Sequence, residues 1–131
     1  MFIDASALTA ILANEFDGPE LLARVERSRT RITSAMATWE STLAVGRILG
    51  VSIKDAEQAV EDLLSAAGIR VVAVEPSVRS IAIDAYDRYG KSRHPAALNF
   101  GDCFAYACAR HAGVPLLYKG NDFPQTDIET A

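Results

Sequence analysis

The chain has 131 residues, 17 of them acidic and 13 basic, for a formal net charge of −4; half of its residues are hydrophobic and 23% are charged. That length supports one core covered by several helices, a single unit over residues 1–131, and that composition excludes a disordered tail. The acid excess disfavours a nucleic-acid partner unless bound cations offset it, and no apolar run approaches the ~18 residues of a membrane helix.

In chain order, Met1-Phe2-Ile3 has the makings of a short buried strand, and Asp4 stops it at once. The same interruption argues against a secretory leader, so a cytoplasmic protein is expected. Ser6 suits the N-cap of an apolar helix from Ala7 to Asn14. Pro19 fits the first turn of a second helix running to about Ser28, with Leu21, Leu22 and Val25 inward. Arg31 to Ser34 is the second expected strand, followed by a helix from Trp39 to Leu49 that Gly50 closes. Ser52 and Asp55 open a helix through Ala67, which Gly68 stops. The Val-rich run Ile69 to Val74 predicts an interior parallel strand. Ser77 is placed to cap a helix ending near Tyr89 and Gly90. A polar loop, Lys91 to Pro95, precedes an apolar helix that has Asp102 in its first turn and ends at Gly113. Pro115 to Tyr118 is a further strand, and the tail holds at most a short edge strand near Ile128.

Strands alternating with helices over short links predict a three-layer α/β/α sandwich on a parallel sheet. Cys103 and Cys108 lie five apart on one helix, on different sides of it, so they read as buried thiols and not as a disulfide. No CxxC, HExxH or paired-His spacing points to zinc.

The acids fall at telling places. Asp4 follows the first strand, Asp122 follows the last one after a Lys-Gly-Asn turn, and Asp102 opens the helix that feeds that strand. Glu40 sits beside Trp39 in an apolar neighbourhood, and Asp127 could supply a fifth carboxylate. Ligands of such sheets bind beyond the carboxyl ends of the strands, so these acids have reason to meet. Hard oxygen donors of this kind suit Mg²⁺ or Mn²⁺ and metal-assisted displacement at phosphorus, which needs no Ser, Cys or His nucleophile. Each acid also has an ordinary explanation. Asp102 could be a helix cap, Asp4 a partner of Ser6, Asp122 a turn residue, and Glu40 an ion-pair member with Arg47, although seven residues apart is poor spacing for one.

The chain resembles the PIN-domain family, in particular the VapC-type ribonuclease toxins of toxin–antitoxin pairs. The matching pieces are Phe2-Ile3-Asp4-Ala5-Ser6, Trp39-Glu40, Arg93 through Leu98-Asn99-Phe100-Gly101-Asp102-Cys103, and Lys119-Gly120-Asn121-Asp122-Phe123 with Thr126-Asp127-Ile128. The resemblance implies a Rossmann-like parallel sheet of four to five strands. It also implies a Mg²⁺- or Mn²⁺-dependent endoribonuclease that cuts structured RNA of the tRNA or rRNA class and so arrests translation. Asp4, Glu40, Asp102 and Asp122 would be its catalytic and metal-binding acids, with Asp127 supporting. A homodimer is implied, inhibited in a hetero-oligomer by a cognate VapB-like antitoxin; the helices near the N-terminus and the one beginning near Trp39 are the expected wall of its groove. Ser6 and Asn121 would orient ligands or waters. Lys91, Arg93, His94 and Lys119 flank the acids in sequence and are the candidate RNA contacts, His94 being equally readable as a plain loop residue.

Three other readings fit less well. A phosphoacceptor signalling domain needs adjacent acids after the first strand, where Ala5 stands, and an acceptor Asp after the third, where Val74-Glu75-Pro76 stands. A haloacid-type phosphatase needs Asp-x-Asp, and position 6 is Ser. A silent PIN-like binding module would not need all four acids.

Overall fold

The structure, a computed structural model, describes residues 1–131. Four short strands, β1 (Phe2–Ile3), β2 (Ile32–Ser34), β3 (Arg70–Val72) and β4 (Leu116–Leu117), form an all-parallel sheet in the order β3-β2-β1-β4. Between them run α1 (Ala5–Leu12), α2 (Gly18–Arg27), α3 (Ala35–Leu49), α4 (Ile53–Ala66), α5 (Val78–Tyr89) and α6 (Phe100–Ala112), and a 3₁₀ turn covers Phe123–Gln125.

Strand periodicity builds the layers. Alternate side chains point to opposite faces of a strand, and in β1 Phe2 joins one core while Ile3 joins the other; Leu116 and Leu117 of β4 divide the same way. The first core collects Val78, Ala82 and Ala85 of α5 with Cys103, Tyr106 and Ala109 of α6. The second collects Leu8 of α1, Leu21 and Val25 of α2, and Val60 and Leu64 of α4. The expected α/β/α sandwich is present. Both cysteines are buried and free, and burial pushes their thiols up to about 11, so they act as small hydrophobes.

Several boundaries differ from the sequence expectation, each for a local reason. Asp4, not Ser6, caps α1: its carboxylate accepts the Ser6 N–H, so the helix begins at Ala5. The α3 helix begins four residues before Trp39, because Ser34 at the end of β2 caps it by accepting the Ala37 N–H. Ser77 precedes α5 without a side-chain cap. The Ile69–Val74 run supplies only Arg70–Val72 as strand, and that strand lies at the sheet edge with Val71 48% exposed. Near Ile128 there is a single bridge, Leu116 to Thr130.

This order fixes where a site can form. The chain runs outward from β1 through β2 to β3, then returns to the other side of β1 for β4. The strand order therefore reverses between β1 and β4, and a crevice opens beyond their carboxyl ends.

Candidate active site

A cleft of about 420 Å³ lies at that reversal, and Asp4, Glu40, Asp102 and Asp122 all line it. Each arrives by a different route. Asp4 is the first residue after β1 and Asp122 lies on the loop after β4. Glu40 is carried on α3, which leaves the end of β2. Asp102 stands in the first turn of α6, a helix that runs back toward the start of β4 and so presents its N-terminus near the strand ends.

Asp4 is 5% exposed. Its Oδ2 accepts the Ser6 N–H at 2.9 Å and the Ser6 hydroxyl as well, and the Ser6 Oγ in turn accepts the Lys119 N–H at 3.0 Å. One hydroxyl at the start of α1 thus ties Asp4 to the loop after β4 across the reversal, which sets Asp122 relative to Asp4. Burial raises the Asp4 carboxyl above its ordinary value, and the charge of Asp122 adds to the rise.

Asp102 and Asn99 form a reciprocal cap: the Asp102 Oδ2 accepts the Asn99 N–H at 2.8 Å and the Asn99 Oδ1 accepts the Asp102 N–H at 3.1 Å. The cap explanation for Asp102 is therefore correct, and one of its oxygens is committed to it. Even so, desolvation lifts this carboxyl to about 6, with the charges of Asp4, Asp122 and Glu40 adding to the rise. A helix N-terminus and an accepted hydrogen bond both favour the charged form. Here burial and the like charges outweigh them.

Glu40 makes no ion pair, and desolvation followed by the charge of Asp4 raises its carboxyl. Gly101 gives it room. A Cβ at position 101 would stand 2.5 Å from the Glu40 Oε2, so a side chain there would push the Glu40 carboxylate out of its place beside α6.

The donor set fits a hard dication. All four groups are oxygen donors, they repel one another in a partly dry cleft, and no His or Cys joins them. No three of them are gathered into a ready chelate. Mg²⁺ keeps several of its waters and is commonly held through one or two carboxylates, so a spread set suits it.

Other expected residues lie elsewhere. Asp127 does not line the cleft. It accepts the Tyr106 hydroxyl at 2.7 Å and pairs with Arg88 at 2.9 Å and Arg110 at 3.0 Å. Burial pushes its carboxyl up, but Tyr106, Arg88 and Arg110 outweigh that and bring it down to about 2. Arg93 pairs with Asp87 at 2.9 Å and leans over the Tyr86 ring. His94 accepts the Ala96 N–H at 3.1 Å on Nδ1 and meets the Tyr89 ring edge-on. Neither these two nor Lys91 or Asn121 lines the cleft. Lys119 does, but its ammonium is engaged by Glu15 and by Asp17 at 3.0 Å.

Glu15 and Thr9, which sequence reasoning missed, also line the cleft, as do Arg47, weighed there only as an ion-pair partner of Glu40, and Asn99, given no role there. Arg47 has no ion pair and lies two helical turns beyond Glu40, with Ala44 between them on the same face of α3. Helical periodicity carried that signal, since a spacing of seven returns to one face. Asn99 was legible as the residue three before an acid at a helix start.

The PIN domain family model matches residues 1–129. VapC ribonuclease Mb0640 of Mycobacterium bovis is 40% identical over 130 residues, covering 99% of this chain and 97% of its own. VapC ribonuclease R02377 of Rhizobium meliloti is 37% identical over 139 residues, covering 97% and 98%. Ribonuclease VapC of Mycolicibacterium smegmatis is 39% identical over 128 residues, covering 98% and 97%. The chain belongs to the PIN-domain family, on its VapC branch.

Proposed function

We propose, with that membership as the premise, that the chain is a Mg²⁺- or Mn²⁺-dependent endoribonuclease, the toxin of a toxin–antitoxin pair, acting in the cytoplasm. The relatives named above are ribonucleases by name. The observation that carries the reading is the convergence of four carboxylates from four separate segments on one cleft at the strand-order reversal. The substrate is a structured RNA of the tRNA or rRNA class, and its cleavage stops translation. A VapB-like antitoxin restrains a homodimer of the toxin.

A bound dication would activate water for attack on phosphorus and offset the charge that grows on the phosphate oxygens. Asp4, Glu40, Asp102 and Asp122 would hold it. Ser6 fixes the Asp4 carboxylate in one orientation and holds the Lys119–Asp122 loop to it. Asn99 does the same for Asp102. A dication beside Asp102 would hold its carboxylate in the charged form against the burial that raises it. Arg47, the cleft cation without a carboxylate partner, is placed to meet an RNA phosphate.

The test is cleavage of total tRNA and rRNA by the purified chain with Mg²⁺, with Mn²⁺ and with chelator. Cleavage with either metal and none with chelator is expected. Intact RNA with both metals would contradict the reading, and binding without cutting would favour a silent binding module.

A further inference from the structure

The acidic cleft has an apolar neighbour. A groove of about 650 Å³ is lined by Ala35, Met36, Trp39 and Phe100, and it meets the cleft at Glu40 and Asn99, which line both. Its two aromatic rings are unusually bare: Trp39 on α3 is 66% exposed and Phe100 on α6 is 70% exposed. Phe100 is braced against Phe104, ring centres 4.9 Å apart, so it is held in place without being covered. Exposed aromatic surface of this kind marks a binding site more often than a structural need. It is flanked on the cleft side by the groups proposed to engage a phosphodiester.

We infer that Trp39 and Phe100 form a stacking platform for an unpaired base of the RNA next to the bond that is cut. The inference rests on the ribonuclease reading and adds a residue-level account of which RNA the site accepts. A flat π face serves any base, and single-stranded RNA is gripped in this way wherever aromatics border a backbone track. The groove and cleft are contiguous, so one nucleotide can lay its base on the aromatics while its phosphate reaches the acids and their cation. Paired bases have no free face to offer. The platform therefore selects loops, bulges and ends within a structured RNA. A second copy of this chain is the other occupant of such a face, and the concentration dependence below separates the two.

Trp39 is the only tryptophan of the chain, so its fluorescence reports on the platform alone. The full-length protein is titrated, with Ca²⁺ in place of Mg²⁺ or Mn²⁺ so that a dication offsets the acids, with a mixed-sequence single-stranded RNA six-mer and with an abasic six-mer of the same charge. Quenching by the first and not by the second is expected. Trp39→Ala is expected to weaken six-mer binding roughly tenfold, about 1.4 kcal/mol, and Trp39→Phe to restore most of it. Equal quenching by the abasic strand, or unchanged affinity in Trp39→Ala, would overturn the platform. So would Trp39 emission that shifts with protein concentration in the absence of RNA, together with a loss of dimer in Trp39→Ala by sedimentation. If base-dependent quenching is found while RNA stays intact with both metals, the nuclease reading fails and the platform stands. If RNA is cut but quenching is absent, the platform alone fails.

Discussion

Two groups of aspartates in this chain have opposite surroundings. In the cleft, Asp4 and Asp102 sit among other acids and their carboxyls are raised, Asp102 to about 6. On the far end of α6, Asp127 sits between Arg88 and Arg110 beneath the Tyr106 hydroxyl and is lowered to about 2. The Asp127 cluster is satisfied by its own protein: it fastens the tail to α5 and α6. The cleft is not: Asp4, Glu40, Asp102 and Asp122 line it with no ion-pair partner, and its Lys119 is already engaged by Glu15 and Asp17. A fold holds such an arrangement against its own stability when something outside the chain completes it.

The largest expected effect breaks the cleft. Asp102→Asn should lower RNA cleavage by more than about 100-fold, since loss of even an outer-shell partner costs 10–100-fold in metal sites. Asparagine can still accept the Asn99 N–H, so the cap and the fold persist. Circular dichroism and a cleavage assay on the same sample check both halves.

Next come changes that move the acids without removing them. Gly101→Ala would drive the Glu40 carboxylate away from α6, and Ser6→Ala would free Asp4 and the Lys119–Asp122 loop. Each should cost roughly 10–100-fold in kcat/KM. Gly101→Ala should leave the melting temperature unchanged or higher, because alanine is the better helix residue by up to about 1 kcal/mol. A fall in stability matching the fall in activity would show that Gly101 serves packing only.

Asp127→Asn should do the reverse. It removes two partly exposed ion pairs, so a loss of about 1 kcal/mol in denaturant unfolding is expected, with cleavage close to wild type. A cleavage defect as large as that of Asp102→Asn would return Asp127 to the catalytic site.

The smallest effect is in pH dependence, and its sign differs between the two groups. Asp102 is raised above its ordinary 3.8, so the folded state holds its proton more tightly than the unfolded state. Its ionisation therefore costs stability progressively as pH rises from about 4 to about 6. Asp127 is lowered, so its contribution is present above about 4 and is lost as pH falls toward 2. Without metal, Asp102→Asn should be more stable than wild type at pH 7 and equal to it near pH 3. Asp127→Asn should be less stable at pH 7, with the difference shrinking in acid. Urea melts at pH 3, 5 and 7 separate the two.

Much of this was legible in the chain. Asp4, Asp102 and Asp122 stand at strand ends and a helix start, places that chain order alone identifies, and Gly50, Gly68 and Gly113 end helices as their sequence context requires. What was not legible depends on partners far away in sequence. Asp127 reads as a possible fifth carboxylate in the motif Thr126-Asp127-Ile128, yet its bonds reach Arg88 and Arg110, 39 and 17 residues distant. The run Ile69–Val74 looks interior by composition, and only the strand order makes it an edge. Arg93 and Lys119 look like free cations until Asp87, Glu15 and Asp17 are placed beside them.

The central claim is that the cleft, and not the Asp127 cluster, takes a divalent cation. Calorimetric titration of the RNA-free protein with Mn²⁺ at pH 7 tests it most directly. Wild type and Asp127→Asn are expected to bind with similar affinity, and Asp102→Asn to bind at least roughly tenfold more weakly. Undiminished Mn²⁺ binding by Asp102→Asn, or its loss in Asp127→Asn, would contradict the account.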